Sequence, residues 1–517
     1  MANKIKLPEW IEGYGAVTPY AGLWGGPYDA AKPQAKRPPR RASEPKRQKL
    51  YEDLDSLLDE LDLHDGMTVS FHHHLRNGDF VLNEVMLALQ KRGLKNLRIA
   101  PSSLFPCHGA LVPLLEDGTI TDLHTDYMSG PLADAVSEGK LKHPAVMTSH
   151  GGRPRAILEG DLPIDIAFIA APGADVWGNL NGVSGPSACG SLGYAHADAQ
   201  CAACVVAVTD HLEEYPLVPT EIPQHLVDYV LKVERIGDPR GIVSGTTQIT
   251  KDPIGLKIAR DALKVLAASQ LLKDGLSFQT GAGGISLAVA KELEGYMQEH
   301  RITGSFASGG ITGSMVQMME KGLFRAIYDV QCFDLEAVRS YRENANHMGM
   351  SGDLYANPHN KGAVVNNLDI VILGATEMDE DFNVNVTTGS GGRIMGGSGG
   401  HADTAAGARL TVIVSKLVSA RIPLIKDRVT TVTTPGESVD VLVTDRGIAV
   451  NPLRKDLWAA LEAAGLPLYT MAELKAKGEA LTGRPSSVAS TERIVAVVEY
   501  RDGTVIDVVR KIAPQKP

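Results

Sequence analysis

Two segments of the chain carry many glycines and few nucleophiles: FASGGITGS at 306–314 and TTGSGGRIMGGSGGHAD at 387–403. Loops with little side chain let a ligand approach backbone N–H groups. Two converging N–H groups in a dry cleft stabilise a developing oxyanion. The alternative is tight backbone packing between helix and sheet. Other chemistries are excluded by spacing. No G-x-x-x-x-G-K-[ST] is present, and GAGGIS at 281–286 lacks the third glycine of a dinucleotide loop. GGSGG at 396–400 fits G-x-S-x-G with Ser398 as its serine. That triad needs an acid and then a histidine further along, yet His401 is the last histidine of the chain.

HHH at 72–74 is the densest group of candidate ligands. Adjacent strand residues point to opposite faces, so His72 and His74 share one side. No H-x-x-E or carboxylate triad completes a metal site there, so no metal is assigned and Mg2+ is not implied. Anion contact together with Arg76 and a purely structural role both remain open. Cys201-x-x-Cys204 lacks a second ligand pair and runs straight into the β-rich CAACVVAVTD, so it reads as core packing. The five scattered cysteines argue for a reducing, cytoplasmic setting without a disulfide framework. The net charge of −10 disfavours nucleic acid as a partner and requires a local Arg/His cluster for any anionic substrate.

The elements that position these residues follow from pattern. A chain of 517 residues implies two or more domains. Its 44% hydrophobic content, 5% aromatic content and 53 glycines favour an Ala/Val/Ile-rich α/β core. No apolar run approaches the roughly 18 residues that span a bilayer, and MANKIKLPEW lacks a secretory apolar stretch. KPQAKRPPRRASEPKRQK at 32–49 holds eight Lys/Arg and one Glu. It reads as a solvated, extended arm or as a docking arm for an acidic partner.

The chain also repeats itself. IDIAFIAAPGADVWGNLN (164–181) aligns without a gap on LDIVILGATEMDEDFNVN (368–385), pairing Asp165/Asp369, Asp175/Asp379, Asn179/Asn383 and Asn181/Asn385. DGMTVSFHHHLRNGDFVLNEVMLALQKRG (65–93) parallels DGLSFQTGAGGISLAVAKELEGYMQ (274–298), and His-Ala-Asp recurs at 196–198 and 401–403. Continuous apolar runs of strand length suit a parallel sheet covered on both faces. The expectation is therefore an α/β protein of two duplicated three-layer α/β/α domains. Its parts are an arm over 1–49, a first domain over 50–245, and a second over 246–517 with a terminal helix and Asp-Gly hairpin.

ADVWGN (174–179), GGSGGHADTAAGARLTVIV and RVTTVTTPGESVDVLVTDRGIAV (428–450) resemble elements of coenzyme A transferases. With EWIEGYGAVTPYAG and FHHHLRNGD, nearly the whole chain resembles their fused two-half branch, the citrate lyase alpha chains. Many transferases of this family carry a catalytic glutamate in Ser-Glu-Asn-Gly, where this chain has Ala307-Ser308-Gly309-Gly310. A glutamyl-thioester at Ser308 is excluded. The resemblance implies direct attack of a citrate carboxylate on an acetyl thioester, giving a mixed anhydride. The freed thiolate then attacks the citryl carbonyl and expels acetate.

On that reading Gly399 and Gly400 supply N–H donors, His401 sits at the rim, and Asp403 fixes the loop from its helix N-terminus. His72, His74, Arg76, Arg153 and Arg393 are the citrate candidates, since bidentate arginine suits carboxylates. Ser308, Gly309, Gly310, Gly313 and Asn179 are the candidates for the thioester. The resemblance further implies a coenzyme A-like prosthetic group on an acyl carrier protein (gamma chain), acetyl-CoA as a surrogate, and no covalently bound cofactor. It also implies a beta chain for citryl cleavage and a homo-oligomer within the complex. The competing readings are a coenzyme A transferase or thioesterase with another carboxylate acceptor, a non-catalytic scaffold, and a sugar-phosphate isomerase lacking its acid/base pair.

Overall fold

The computed structural model describes residues 5–22, 48–243, 248–484 and 489–513. Most of the basic 32–49 stretch lies outside these residues. Two mixed sheets dominate, and each contains the same seven-strand parallel array. In the first, the order from one side is Ala145–Met147, Ile120–Thr125, Leu97–Pro101, Thr68–Phe71, Ile166–Ala170, Cys204–Thr209 and Tyr229–Lys232. In the second it is His347–Gly349, Phe324–Cys332, Gly304–Ile311, Ser277–Thr280, Ile370–Leu373, Leu410–Val414 and Val441–Thr444. The duplication is thus one of topology as well as sequence.

Both faces of each array are buried. Ile166, Phe168 and Ala170 join one apolar cluster while Ala167 and Ile169 join another. Ile370 and Ile372 likewise separate from Val371 and Leu373. Helices supply the outer layers. Val81–Lys91 and Pro131–Ser137 cover one face of the first sheet, and Pro253–Ala268 and Gly284–His300 one face of the second. Pro253 stands in the first turn of its helix behind the Asp252 cap, whose carboxylate accepts from Gly255 N at 2.9 Å.

The paired polar residues do the same work in each half. Asp165 accepts from Thr68 N at 2.7 Å, and Asp369 from Ser277 N at 3.0 Å. Asp175 binds the amide of Asn179 at 2.7 Å, and Asp379 that of Asn383 at 3.0 Å. Asn181 and Asn385 each accept two N–H bonds from the residues that follow them.

Two parts of the expected domain division need correction. The terminal hairpin, Ser490–Glu499 with Val505–Ile512, forms but belongs to the first sheet, where Ala496 pairs in parallel with Ala145. The described part of the N-terminal arm is not simply extended. Trp10–Ile11 pairs with Gly15–Ala16, and Tyr20 N donates to Val505 O at 2.8 Å. Cys201 and Cys204 pack at the margins of the two large apolar clusters, as core packing requires. Among the described residues no helix is long and apolar enough to cross a membrane.

Candidate active site

Loops at the carboxyl ends of the parallel strands from both halves meet face to face, where α/β sheets commonly hold ligands. The centre is the Gly399–Gly400 turn of the second half, locked against the Ser149–His150 loop of the first. His150 N donates to Gly399 O at 2.8 Å, and Gly399 N donates to Asp126 O at 3.2 Å. Gly399 has φ +49°, in the left-handed region that favours glycine. A Cβ on Gly400 would lie 2.3 Å from the Tyr355 hydroxyl, so this backbone approaches the ring as only glycine allows.

Asp403 secures the turn. Fully buried, it accepts from Ser149 Oγ at 2.9 Å and Gly151 N at 3.0 Å, with Arg501 Nε at 3.6 Å. It therefore ties the halves together as well as fixing its own loop. The first His-Ala-Asp copy works differently: Asp198 grips Arg153 through both guanidinium NH groups at 2.8 Å.

The first half presents His73, Asp126, His150 and Tyr194 to this centre. His73 stacks on Tyr194 with ring centroids 4.8 Å apart, and His150 lies 4.5 Å from Tyr194. Asp126 Oδ2 holds His150 Nδ1 at 2.9 Å. Gln331 of the second half donates to His73 O at 2.6 Å. The second half adds a chain in which Ser308 Oγ donates to Gln279 Oε1 at 3.0 Å and Gln279 Nε2 donates to the Tyr355 hydroxyl at 2.7 Å. Gly309 has φ +105°, and a Cβ there would lie 2.6 Å from Gln279, while one on Gly310 would lie 2.1 Å from the Phe333 ring.

Burial governs the electrostatics. It pushes Asp126 and Asp403 above the usual carboxylate range, against the pull of His150 and Arg501 respectively. It holds His73 well below the ordinary imidazole value, with the neighbouring His150 and Arg76 charges acting the same way. Arg76 is brought down to about 10 by burial, its guanidinium 4.2 Å from the Phe333 ring centroid across the junction of the halves.

Several sequence-predicted residues are placed elsewhere. His72 and His74 do share a side, with rings 5.4 Å apart, but that side is the interior of the first half. His72 Nε2 meets Ala170 O at 2.9 Å, and His74 lies 3.8 Å from Asp79. The histidine between them, His73, faces the other half. Arg153 is spent on Asp198, Ser70 and Ala100 O. Arg393 is half-exposed and pairs with Glu138 at 3.1 Å and Asp134 at 3.4 Å. Asn179 is held by Asp175 of its own loop and by Gln224 N of a neighbouring segment of the first half. Gly313 N donates to Asp334 at 2.7 Å, away from the turn.

His401 does not stand at a rim. Its Nδ1 meets Thr434 Oγ1 at 2.7 Å and its Nε2 meets Gly374 O at 2.9 Å, so both ring nitrogens are engaged. Burial lowers it to about 4. Of the two proposed turn donors, the Gly399 amide is already engaged by Asp126 O, which leaves Gly400 as the candidate. Gln279, Tyr355, His150, Asp126 and Tyr194 escaped the sequence reading. The SHGG run was the available pointer to His150, since it pairs a histidine with glycines as GGH does.

Asp329, Cys332 and His347 bring ligand-type atoms within 4.8 Å of one another. They already form a closed hydrogen-bonded group, with Asp329 Oδ2 2.9 Å from Cys332 Sγ and 3.0 Å from His347 Nε2.

Comparison with known proteins bears on this geometry. A family model described as citrate lyase, alpha subunit (CitF), matches residues 47–512. The citrate lyase alpha chain of Klebsiella pneumoniae is 47% identical over 497 residues, covering 96% of each chain. That of Escherichia coli is 47% identical over 472 residues, 91% of this chain and 92% of its own. The solved alpha subunit of citrate lyase from Streptococcus mutans, in complex with citrate, superposes with a TM-score of 0.89 at 45% identity. It covers 93% of this chain and 95% of its own. A malonate decarboxylase alpha subunit from Acinetobacter baumannii, at 17% identity and TM-score 0.64, shares the fold over 85% of this chain and 90% of its own. A 4-hydroxybutyrate CoA-transferase from Porphyromonas gingivalis, at 18% identity and TM-score 0.53 over 83% of this chain and 97% of its own, shares it too. The coenzyme A transferase-like fold is therefore shared well beyond close relatives, and within it this chain belongs to the citrate lyase alpha subunit family.

Proposed function

We propose that this chain is the acyl-transfer subunit of a citrate lyase complex, exchanging acetyl for citryl on a carrier thioester and releasing acetate. The observation that carries this reading is the junction of the halves. A Gly-Gly turn packed against His150 and Tyr355 offers the Gly400 N–H as a hydrogen-bond donor there, and Ser308 stands where related transferases carry a glutamate. A site without that nucleophile acts by holding citrate and thioester together. Such positioning supplies on the order of 7–11 kcal/mol of a barrier, and one oxyanion donor adds about 3–4 kcal/mol. Gly400 N is the proposed donor, and Arg76 and His73 are the proposed contacts for citrate carboxylates. The thioester would be that of a coenzyme A-like group on a separate carrier chain, with a further chain cleaving the citryl product.

The isolated chain, given acetyl-CoA as surrogate and labelled citrate, is expected to release acetate and form citryl thioester. Treatment with borohydride or hydroxylamine during turnover is expected to leave every glutamate unmodified by mass spectrometry. A stoichiometric glutamyl adduct would overturn direct attack.

A further inference from the structure

His150 stands between a buried carboxylate and the Gly399–Gly400 turn. Asp126, wholly buried, sits behind it and binds Nδ1 at 2.9 Å, which fixes the tautomer. Tyr194 and His73 flank the ring at 4.5 and 6.0 Å between centroids, and its own backbone N–H is tied to Gly399 O at 2.8 Å. The free choice of the ring is therefore confined to Nε2. That nitrogen lies 3.3 Å from where a Cβ on Gly399 would stand, beside the Gly399–Gly400 turn. The ring keeps 14% of its surface exposed, while Asp126 keeps none. A buried carboxylate behind and an open nitrogen in front is the arrangement of an oriented acid/base pair.

Resting on the transferase reading, we infer that His150 is a catalytic residue that protonates the departing thiolate and later takes the proton back. In the first step the citrate carboxylate forms a C–O bond to the acetyl carbon. The C–S bond breaks, and Nε2–H passes its proton to sulfur, leaving neutral His150, the anhydride and a thiol. In the second step Nε2 removes that proton while sulfur forms a C–S bond to the citryl carbon. The anhydride C–O bond breaks, acetate departs, and His150 is again protonated. No other reactant is consumed. Asp126 is a positioning residue in this cycle.

The test compares leaving groups in the full chain. His150→Asn retains a donor toward Asp126 and removes the atom at Nε2. His150→Gln, the second variant, places an amide near Nε2 that cannot carry a proton across. Both are expected to lose about 100- to 10,000-fold in citrate-dependent turnover of acetyl-CoA. With the acetyl thioester of thiophenol, whose thiolate leaves and returns without a proton, citrate-dependent release of acetate should fall by less than about 10-fold. Asp126→Asn is expected to follow the same pattern at smaller amplitude. An equal loss with both thioesters, or a loss below about 3-fold with acetyl-CoA, overturns the proton-carrier role while transfer stands. Wild-type chain that releases no acetate and forms no citryl thioester from either thioester overturns the transferase reading itself.

Discussion

His401 illustrates how a residue in the right motif can serve stability. Its ring nitrogens are engaged by Thr434 and Gly374, and burial holds it near 4 against an ordinary value of 6.5. The unfolded chain thus binds a proton near pH 6.5 that the folded chain refuses until about pH 4. Stability from this neutral histidine is complete above the unfolded value and is lost as pH falls through that window. By pH 4 the loss from His401 alone is about 3 kcal/mol. Buried His72 and His124, each lowered to about 3, act with the same sign. Replacing His401 with Asn is expected to lower stability at pH 7.5 yet flatten its decline toward pH 5, read by urea denaturation at both values. An unchanged decline would show that this histidine is not the acid-sensitive group. The sequence could expose neither this nor the inward turn of His72 and His74. Strand alternation places histidines on sides, but which side faces a partner domain depends on contacts some 250 residues away.

At the scale of elements, the strand-end loops must approach one another closely, and their glycines permit it. Gly193 has no positive φ to justify it. A Cβ there would lie 2.4 Å from Met350 O and 2.5 Å from Val330 O, both in the other half. Backbone cannot step aside as a flexible side chain can. Gly193→Ala is therefore expected to cost about 1–3 kcal/mol and to reduce citrate-dependent transfer by shifting Tyr194 and His150. Gly295 provides the contrast: it lies within helix Gly284–His300, with nothing inside 4 Å of its would-be Cβ. Gly295→Ala should stabilise by about 0.5–1 kcal/mol and leave transfer unchanged. Equal melting temperatures for the two variants would refute this account of the interface. The Gly-rich run at 387–403 was legible as a loop approached by other groups, whereas 306–314, read the same way, is the end of strand Gly304–Ile311 and the start of helix Gly313–Glu320. What approaches them was not, because Gln279, Phe333 and Tyr355 lie in segments whose local pattern is ordinary strand, loop or short helix.

The whole molecule departs from a simple tandem of halves at its C-terminus. The duplication was readable because buried strands and their Asp and Asn fasteners repeat at nearly constant spacing, and the shared strand order follows from it. The ERIVAVVEYRDGTVIDVVRKI hairpin was readable too, from its Asp-Gly turn between valine-rich runs. Its destination was not, since a hairpin's pattern does not specify which sheet edge it will cover. It crosses back to pair with Ala145–Met147, burying Val495, Ala496, Val497 and Val498. It also delivers Arg501, whose guanidinium donates to Ala356 O at 2.9 Å beside Asp403. The last strands of the chain thus complete the first sheet and brace the turn of the second half. Ending the chain after residue 484 would bare the Ala145–Met147 edge and leave Asp403 buried without its cation, two defects that each disfavour the folded state. That truncation is expected to yield aggregated or protease-sensitive protein, with residues 50–240 digested first. Arg501→Lys should by contrast fold, keep its charge, and lose the guanidinium contact with Ala356 O, lowering transfer more than citrate binding. A soluble, protease-resistant 1–484 chain with normal transfer would mean that the crossing hairpin is dispensable and that each half closes its own sheet.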